Sequence, residues 1–234
     1  MEIEALFLSD IHLGTKYTKT KELLEVLKKY KPKNLFLIGD IIDGWSLKKN
    51  HFWTQEQTNI IRKFLSYSKN GTNIYYITGN HDDFLRNYNF NLGNIHIINE
   101  IIWNGCFITH GDKYDTLVMN NKWLAHIGSI GYDLVLYLNK HIQNTRNFFN
   151  LKPKSFSKWI KKNVKDAVNF LYKFEEILIT ETKKKNCDIV ICGHVHTPND
   201  TIINNIRYLN TGDWIENCSY IIYDKKEFTL KYHE

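Results

Sequence analysis

Five short apolar runs in this chain each break off into a cluster of carboxylates, imidazoles and amides. Asp10-Ile11-His12 follows the run 4–9, and Gly39-Asp40-Ile41-Ile42-Asp43-Gly44 follows 34–38. Gly79-Asn80-His81-Asp82 follows 73–78, His110-Gly111-Asp112 follows 107–109, and Gly193-His194-Val195-His196 follows 188–192. Brief runs of branched and aromatic residues ended by Gly or polar turns read as buried strands. Between the first three, residues 20–30 and 53–67 carry apolar residues at helical spacing: Leu23, Leu24 and Leu27, then Ile60, Ile61, Phe64 and Leu65. Strand and helix in alternation predict a layered α/β fold. In such sheets ligands bind just outside the carboxyl ends of the strands, so the five clusters are expected to converge. Further strands are predicted at 95–98, 101–103, 202–203, 206–209, 219–223 and 228–232.

The clusters supply Asp10, His12, Asp40, Asn80, His110, His194 and His196, with no thiolate. Carboxylate, amide and imidazole together suit Mn, Fe, Zn or Mg rather than copper(I) or iron–sulfur. Asp-x-His and His-x-His are period-two pairs, so in extended backbone both side chains leave on one side. Seven ligands are too many for one closed site and suit two ions about 3.5–4 Å apart with a shared carboxylate. The neighbouring glycines fit tight turns where backbone comes close to the ions. Taken singly, a histidine or a Gly-Asn-His-Asp turn says little; the five clusters in order, each after a strand, carry the reading. His51, His96, His126, His141 and His233 lack that setting and read as structural or surface residues.

The rest of the composition narrows the class. With 234 residues, 43% hydrophobic and 24% charged, the chain can bury a core and sits among ordinary globular domains. No apolar run approaches the roughly 20 residues of a membrane-spanning helix. The first residues, MEIEALFLSD, carry acids where an export signal has bases, which predicts a cytoplasmic protein. Cys106, Cys187, Cys192 and Cys218 form neither a disulfide framework nor a zinc-type pair.

The net charge of +6 is concentrated. Residues 113–180 hold 11 Lys and Arg against 5 Asp and Glu, whereas the rest of the chain is balanced. The same stretch reads as helical from about 120 to 182. Trp123, Leu124, Ile127, Ile130, Leu134, Val135 and Leu138 make one apolar stripe. A second helix, capped by Ser155, carries Phe156, Trp159, Ile160, Val164, Val168, Leu171, Phe174 and Leu178 on one face. Lys158, Lys161, Lys162 and Lys165 lie on another. The expected organisation is a single domain over 1–234 with a helical insert, a lid, at about 115–182. A concentrated positive field favours an anionic partner, or else is a solvated lysine face.

The series Asp10-x-His12, Gly39-Asp40-x-x-Asp43, Gly79-Asn80-His81-Asp82, His110 and Gly193-His194-x-His196 resembles the calcineurin-like metallophosphoesterase family over nearly the whole chain. That resemblance implies a four-layer αββα sandwich with two central sheets and two divalent ions, with Mn the first expectation. It implies that Asp10, His12 and His196 hold the first ion and Asn80, His110 and His194 the second, bridged by Asp40. His81 would contact the reacting phosphate and protonate the leaving group, and Asp43 would orient its imidazole. Ser9-Asp10-Ile11-His12-Leu13-Gly14-Thr15, Gly39 to Trp45, His110-Gly111-Asp112, Gly193 to Thr197 and Asn210 to Glu216 are similar to one branch, the UDP-2,3-diacylglucosamine hydrolases. That branch implies cleavage of a nucleotide-linked acyl sugar to UMP and the acyl-sugar phosphate in lipid A biosynthesis. It also implies peripheral contact with the cytoplasmic face of the inner membrane and an insert lying over the acyl chains. The best-studied members of the branch have Arg where this chain has His81.

The expected partner is therefore an anionic, amphiphilic nucleotide-sugar lipid. Trp45, Lys48, Arg86, Lys122, Arg146, Lys161 and Lys165 are the candidate substrate contacts, with Trp214 beside them on a motif loop. Nucleic acid is not expected, because the basic stretch is interleaved with a large apolar stripe. One alternative is a phosphoesterase for a soluble phosphodiester, nucleotide or polynucleotide. A second is a non-catalytic scaffold, against which stand all seven ligands together with His81 and Asp43.

Overall fold

The computed structural model describes residues 1–88, 90–114 and 156–233, with the side chains of 156–169 outside the description. The chain divides into two compact units, Met1–Lys113 with Leu178–Glu234, and Tyr114–Ile177.

In the first unit, β1 (Glu2–Leu8), α1 (Thr20–Lys29), β2 (Lys31–Ile38), α2 (Gly44–Asn50), α3 (Gln55–Lys69) and β3 (Asn73–Ile77) follow the predicted alternation. β4 (Phe90–Leu92), β5 (Ile95–Ile98), β6 (Glu100–Trp103) and β7 (Cys106–Thr109) come next. A long helix, α4 (Phe156–Lys184), begins in the second unit and ends in the first. It leads into β8 (Ile189–Cys192), β9 (Asn199–Ile203), β10 (Ile206–Asn210), β11 (Ser219–Asp224) and β12 (Glu227–Tyr232).

The strands form two sheets, seven-stranded in the order β12-β11-β1-β2-β3-β5-β4 and five-stranded in the order β6-β7-β8-β10-β9. Strands buried on both faces explain the continuous apolar runs. In β1 and β2, Leu6, Leu8, Leu35 and Leu37 face Leu23, Val26 and Leu27 of α1 and Ile60 and Phe64 of α3. Ala5, Phe7, Phe36 and Ile38 point the other way and meet Cys106, Ile108, Ile191 and Leu209 of the second sheet. Phe7 and Phe36 stack at 4.7 Å and 6°, and Phe36 continues onto Tyr75 at 4.8 Å. The outer face of the second sheet, with Phe107, Val190 and Tyr208, is buried as well. Lys185, just past α4, sits 4.8 Å over the Phe107 ring, so the end of α4 closes that side. Helix, sheet, sheet and helix make the expected α/β sandwich.

Parallel pairing aligns the strand ends. Leu8 pairs with Leu37, Ile38 with Ile77, and Ile108 with Ile191. The loops after β1, β2, β3, β7 and β8 therefore leave the sheets at one edge. β10 is parallel to β8, which brings the loop 211–217 to the same edge. Gln57, 1% exposed on α3, ties this edge to the helical layer: Nε2 donates to Thr15 O, and Oε1 accepts from Gly14 N.

In the second unit, Phe170 and Phe174 of α4 are buried and their rings lie 6.1 Å apart. The expectations for Lys122, Arg146, His126 and His141 fall outside the described residues. Lys161 and Lys165 fall on α4 where side chains are not described. Among the described residues, no helix is long and apolar enough to cross a membrane.

Candidate metal centre

The five clusters meet. Asp10, His12 and His196 bring one ligand atom each within 4.8 Å of one another, and so do Asp40, His110 and His194. The family resemblance assigns Asp10, His12 and His196 to one ion and Asn80, His110 and His194 to the other, with Asp40 shared. His12 also groups with Asp43 and His81.

Several of these residues are tied from behind and leave one atom forward. Asp10 Oδ2 accepts from Ser9 Oγ and, at 2.9 Å, from His194 N. Its Oδ1 is buried without a hydrogen-bond partner; His196 Nε2 at 3.1 Å is within ion-pair range of it but outside hydrogen-bonding geometry. His110 Nδ1 pairs with Ile38 O at 2.9 Å, which fixes the ring and leaves a buried Nε2 with no hydrogen bond, 3.4 Å from Asp40 Oδ2. Asp40 Oδ1 accepts from His81 N at 2.8 Å. Asp40 Oδ2 lies 3.9 Å from His12 Nε2 and 4.0 Å from His81 Nε2. Asn80 Oδ1 is a further buried acceptor with no hydrogen bond. Outer partners that fix ring orientation in this way are the usual support of a metal-binding histidine. Stranded buried acceptors are costly, by about 1–3 kcal/mol each, unless a ligand takes them up. A divalent ion bound among them would do so, and the donor set fits one.

The electrostatics agree. Burial raises the Asp40 carboxyl, but His110, His12 and His81 outweigh it and hold the group well below the usual carboxylate range. Asp10 is likewise held down to about 2 against its burial, chiefly by His196. Burial lowers His196, yet Asp10 lifts it to about 9. A metal bound among these groups would displace protons from the imidazoles and keep the carboxylates ionised.

Asp43 stands at the margin. Its Oδ2 is 3.0 Å from His81 Nδ1 and 3.2 Å from His12 Nδ1, while Oδ1 caps α2 by accepting from Ser46 N at 2.7 Å. His81 therefore turns Nδ1 to Asp43 and Nε2 towards Asp40. Burial lowers the His81 pKa, but Asp43 and Asp40 raise it on balance.

The local backbone differs from the extended pairs expected. Asp10, His12, Asp40, His194 and His196 all have positive φ, between 49° and 70°. The left-handed region is uncommon for residues with a Cβ and concentrates at functional sites. The ligand pairs are thus presented by turns beyond the strands. The glycines answer to close approach: a Cβ on Gly39 would lie 2.3 Å from His110 Nδ1, and one on Gly193 2.4 Å from Asp10 Oδ2.

The candidate substrate contacts separate. Trp45 is half exposed and packs on His81, with ring centroids 4.3 Å apart. Lys48 is exposed on α2. Arg86 is engaged within the protein, donating to Asp112 Oδ2 at 2.9 Å and to Thr78 O at 3.3 Å. Trp214 is wholly buried in the core between β1 and α1, because its loop turns inward where Trp214 N donates to Asp10 O. His96 stacks on Tyr75, and His233 pairs with Glu25.

Three supporting residues were not singled out from sequence. Asp82 is fully buried and accepts from Ile41 N, Gly79 N and Tyr76 Oη, joining the loops that carry Asp40 and Asn80. Ser9 links Asp10 to Thr211 and Gly212. Asp213 accepts from Asn217 Nδ2, which also donates to His196 O. The available signal was an acid or hydroxyl directly beside a ligand cluster.

The calcineurin-like phosphoesterase family matches residues 3–198. A UDP-2,3-diacylglucosamine hydrolase of Wigglesworthia glossinidia brevipalpis is 27% identical over 250 residues, covering 98% of this chain and 94% of the relative. Proteins of the same name from Vibrio atlanticus and Porphyromonas gingivalis are 23% and 25% identical, each covering 99% of this chain and 98% of the relative.

Proposed function

This chain belongs to the calcineurin-like phosphoesterase family, and from that premise we propose that it hydrolyses UDP-2,3-diacylglucosamine, or a nucleotide-linked lipid like it, to UMP and the acyl-sugar phosphate. The product would serve lipid A biosynthesis. What carries the reading is the convergence of two aspartate–histidine clusters beside the His81–Asp43 pair. The substrate rests on full-length similarity to three proteins of that name. The apolar and basic patterning of residues 115–182 supports an amphiphilic substrate and peripheral contact with the inner face of the membrane.

Asp10, His12 and His196 would hold one ion and Asn80, His110 and His194 the other, with Asp40 between them. Mn leads the candidates, followed by Fe, Zn and Mg. Two divalent ions bound there would neutralise phosphoryl oxygens and acidify water. His81 Nε2, aimed at the centre, binds a phosphoryl oxygen and delivers a proton to the departing oxygen. Asp43 lies 3.0 Å from the opposite ring nitrogen and stabilises the charged form of the imidazole. Water adds to the uridine-side phosphorus, the bond to the bridging oxygen breaks, and the sugar phosphate leaves.

A second reading, hydrolysis of a soluble phosphodiester, draws on the same His81–Asp43 pair. An alkoxide leaving group needs a proton more than a phosphate does. The discriminating experiment is hydrolysis of UDP-2,3-diacylglucosamine and of bis-p-nitrophenyl phosphate with Mn, by wild type, His81→Ala and Asp40→Asn. UMP release from the lipid, reduced in both variants, is expected. Turnover of the aryl diester alone would transfer the assignment to the second reading. An Asp40→Asn variant as active as wild type would leave a scaffold.

A further inference from the structure

Three consecutive residues at the start of α2 touch His81 in three different ways. Asp43 Oδ2 lies 3.0 Å from His81 Nδ1. Gly44 N donates to His81 O at 2.9 Å. The Trp45 indole packs against the imidazole at 4.3 Å between centroids, tilted by 34°. Gly44 sits tightly against His81, since a Cβ on it would lie 3.0 Å from both His81 O and the Phe84 ring. On another side, the His12 ring meets His81 edge-on at 4.7 Å and 87°.

A contact at one ring nitrogen does not by itself set the plane of an imidazole. Asp43 Oδ2, 3.0 Å away, places Nδ1, but one such contact does not fix the plane that carries Nε2. Trp45 and His12 constrain that plane from two directions. Meanwhile α2 has no buried residue, and Trp45 remains 51% exposed. An indole that leaves half its surface in water is not held there by core packing.

We propose that Trp45 is a positioning residue for His81, fixing the imidazole plane so that Nε2 addresses the leaving oxygen. This inference rests on the reading of His81 as the proton donor, and deepens it. A proton donor typically contributes about 10²–10⁴-fold in rate. Misplacement of such a group by an ångström costs about 10²-fold, so loss of the indole should forfeit much of that factor.

The test uses the full chain with Mn and two probes that share the uridine half: the p-nitrophenyl and the phenyl esters of UMP. The first has a good leaving group and little need of a proton; the second has a poor one. For Trp45→Ala, kcat on the phenyl ester should fall about 10- to 100-fold with KM little changed, and the fall on the p-nitrophenyl ester should be much smaller. Trp45→Phe, which keeps a ring over His81, should recover most of the lost rate. In a His81→Ala background, adding Trp45→Ala should cost nothing further, since the two act as one unit. Equal losses on both esters, a rise in KM in place of a fall in kcat, or a full additional loss in the double variant would each overturn the proposal and place Trp45 on the substrate instead. If His81→Ala keeps wild-type kcat on the phenyl ester, the proton-donor reading falls and this inference with it. If His81→Ala loses that rate and Trp45→Ala does not, the Trp45 role alone is refuted.

Discussion

Gly79 lies so close to Asp40 that a Cβ on it would stand 2.3 Å from Asp40 Oδ1 and 2.6 Å from Asp40 N. The same atom would come within 2.8 Å of the His110 ring. Neither neighbour can yield, since Asp40 Oδ1 is hydrogen-bonded to His81 N and His110 to Ile38 O. Gly79→Ala should therefore push the carboxylate at the centre of the site out of place. The expected result is a fall in kcat of about 10²-fold or more, the scale of an ångström's misplacement. Bound Mn, counted by elemental analysis after gel filtration, should fall below the wild-type content. Full metal content at wild-type rate would refute the close contact.

Asp43 serves two histidines with one oxygen. Asp43→Asn should weaken both functions. Outer partners of metal-binding histidines are worth about 10–100-fold in metal affinity. Calorimetric titration of metal-free protein with Mn should show that loss, alongside reduced kcat. His81→Ala should reduce kcat with metal affinity near wild type. If the two variants bind Mn equally well, Asp43 acts on His81 alone.

Much of this was legible because two simple signals coincide. Phe36 and Leu37 are apolar neighbours that must face opposite ways, and a strand buried on both faces is the economical solution. The polar clusters were legible as a site because each begins where such a run ends. What was hidden lacks an apolar signature. The helix Gly44–Asn50 buries none of its residues and is specified by its cap, Asp43. Phe90–Leu92 is an exposed edge strand. The left-handed backbone at Asp10, His12, Asp40, His194 and His196 arises from tertiary demands on the ligands, against the preference of these residues. Arg86 read as free to meet substrate, because sequence does not show that the segments following β3 and β7 meet and hand it Asp112.

The contact between the two sheets gives a stability prediction. Phe36 is fully buried, stacked between Phe7 and Tyr75 and 5.1 Å from the Trp103 ring. Phe36→Ala should lower unfolding free energy by about 3–5 kcal/mol. Phe36→Leu, which keeps most of the volume, should cost about half of that or less. Urea denaturation followed by far-UV circular dichroism measures both. A loss below about 1 kcal/mol for the alanine variant would mean that the sheets do not pack through this stack.

Glu100 offers a pH test away from the metal ligands. Its carboxylate lies 2.7 Å from Lys185 Nζ and also pairs with Lys113. Burial raises its pKa, but the two ammonium groups outweigh that and leave it below the ordinary value. A carboxyl depressed by folding contributes stability above its unfolded pKa, about 4.3, and loses it as pH falls through the lower, folded value. Glu100→Gln should thus be less stable than wild type by about 1 kcal/mol at pH 7. The gap should narrow below pH about 4 as the wild-type carboxyl takes up its proton and becomes as neutral as the amide. Paired urea midpoints from pH 7 down to pH 3 follow this directly. A gap that holds constant to pH 3 would assign the difference to packing, and no gap at pH 7 would show that the Lys113–Glu100–Lys185 bridge adds nothing beyond what solvent supplies.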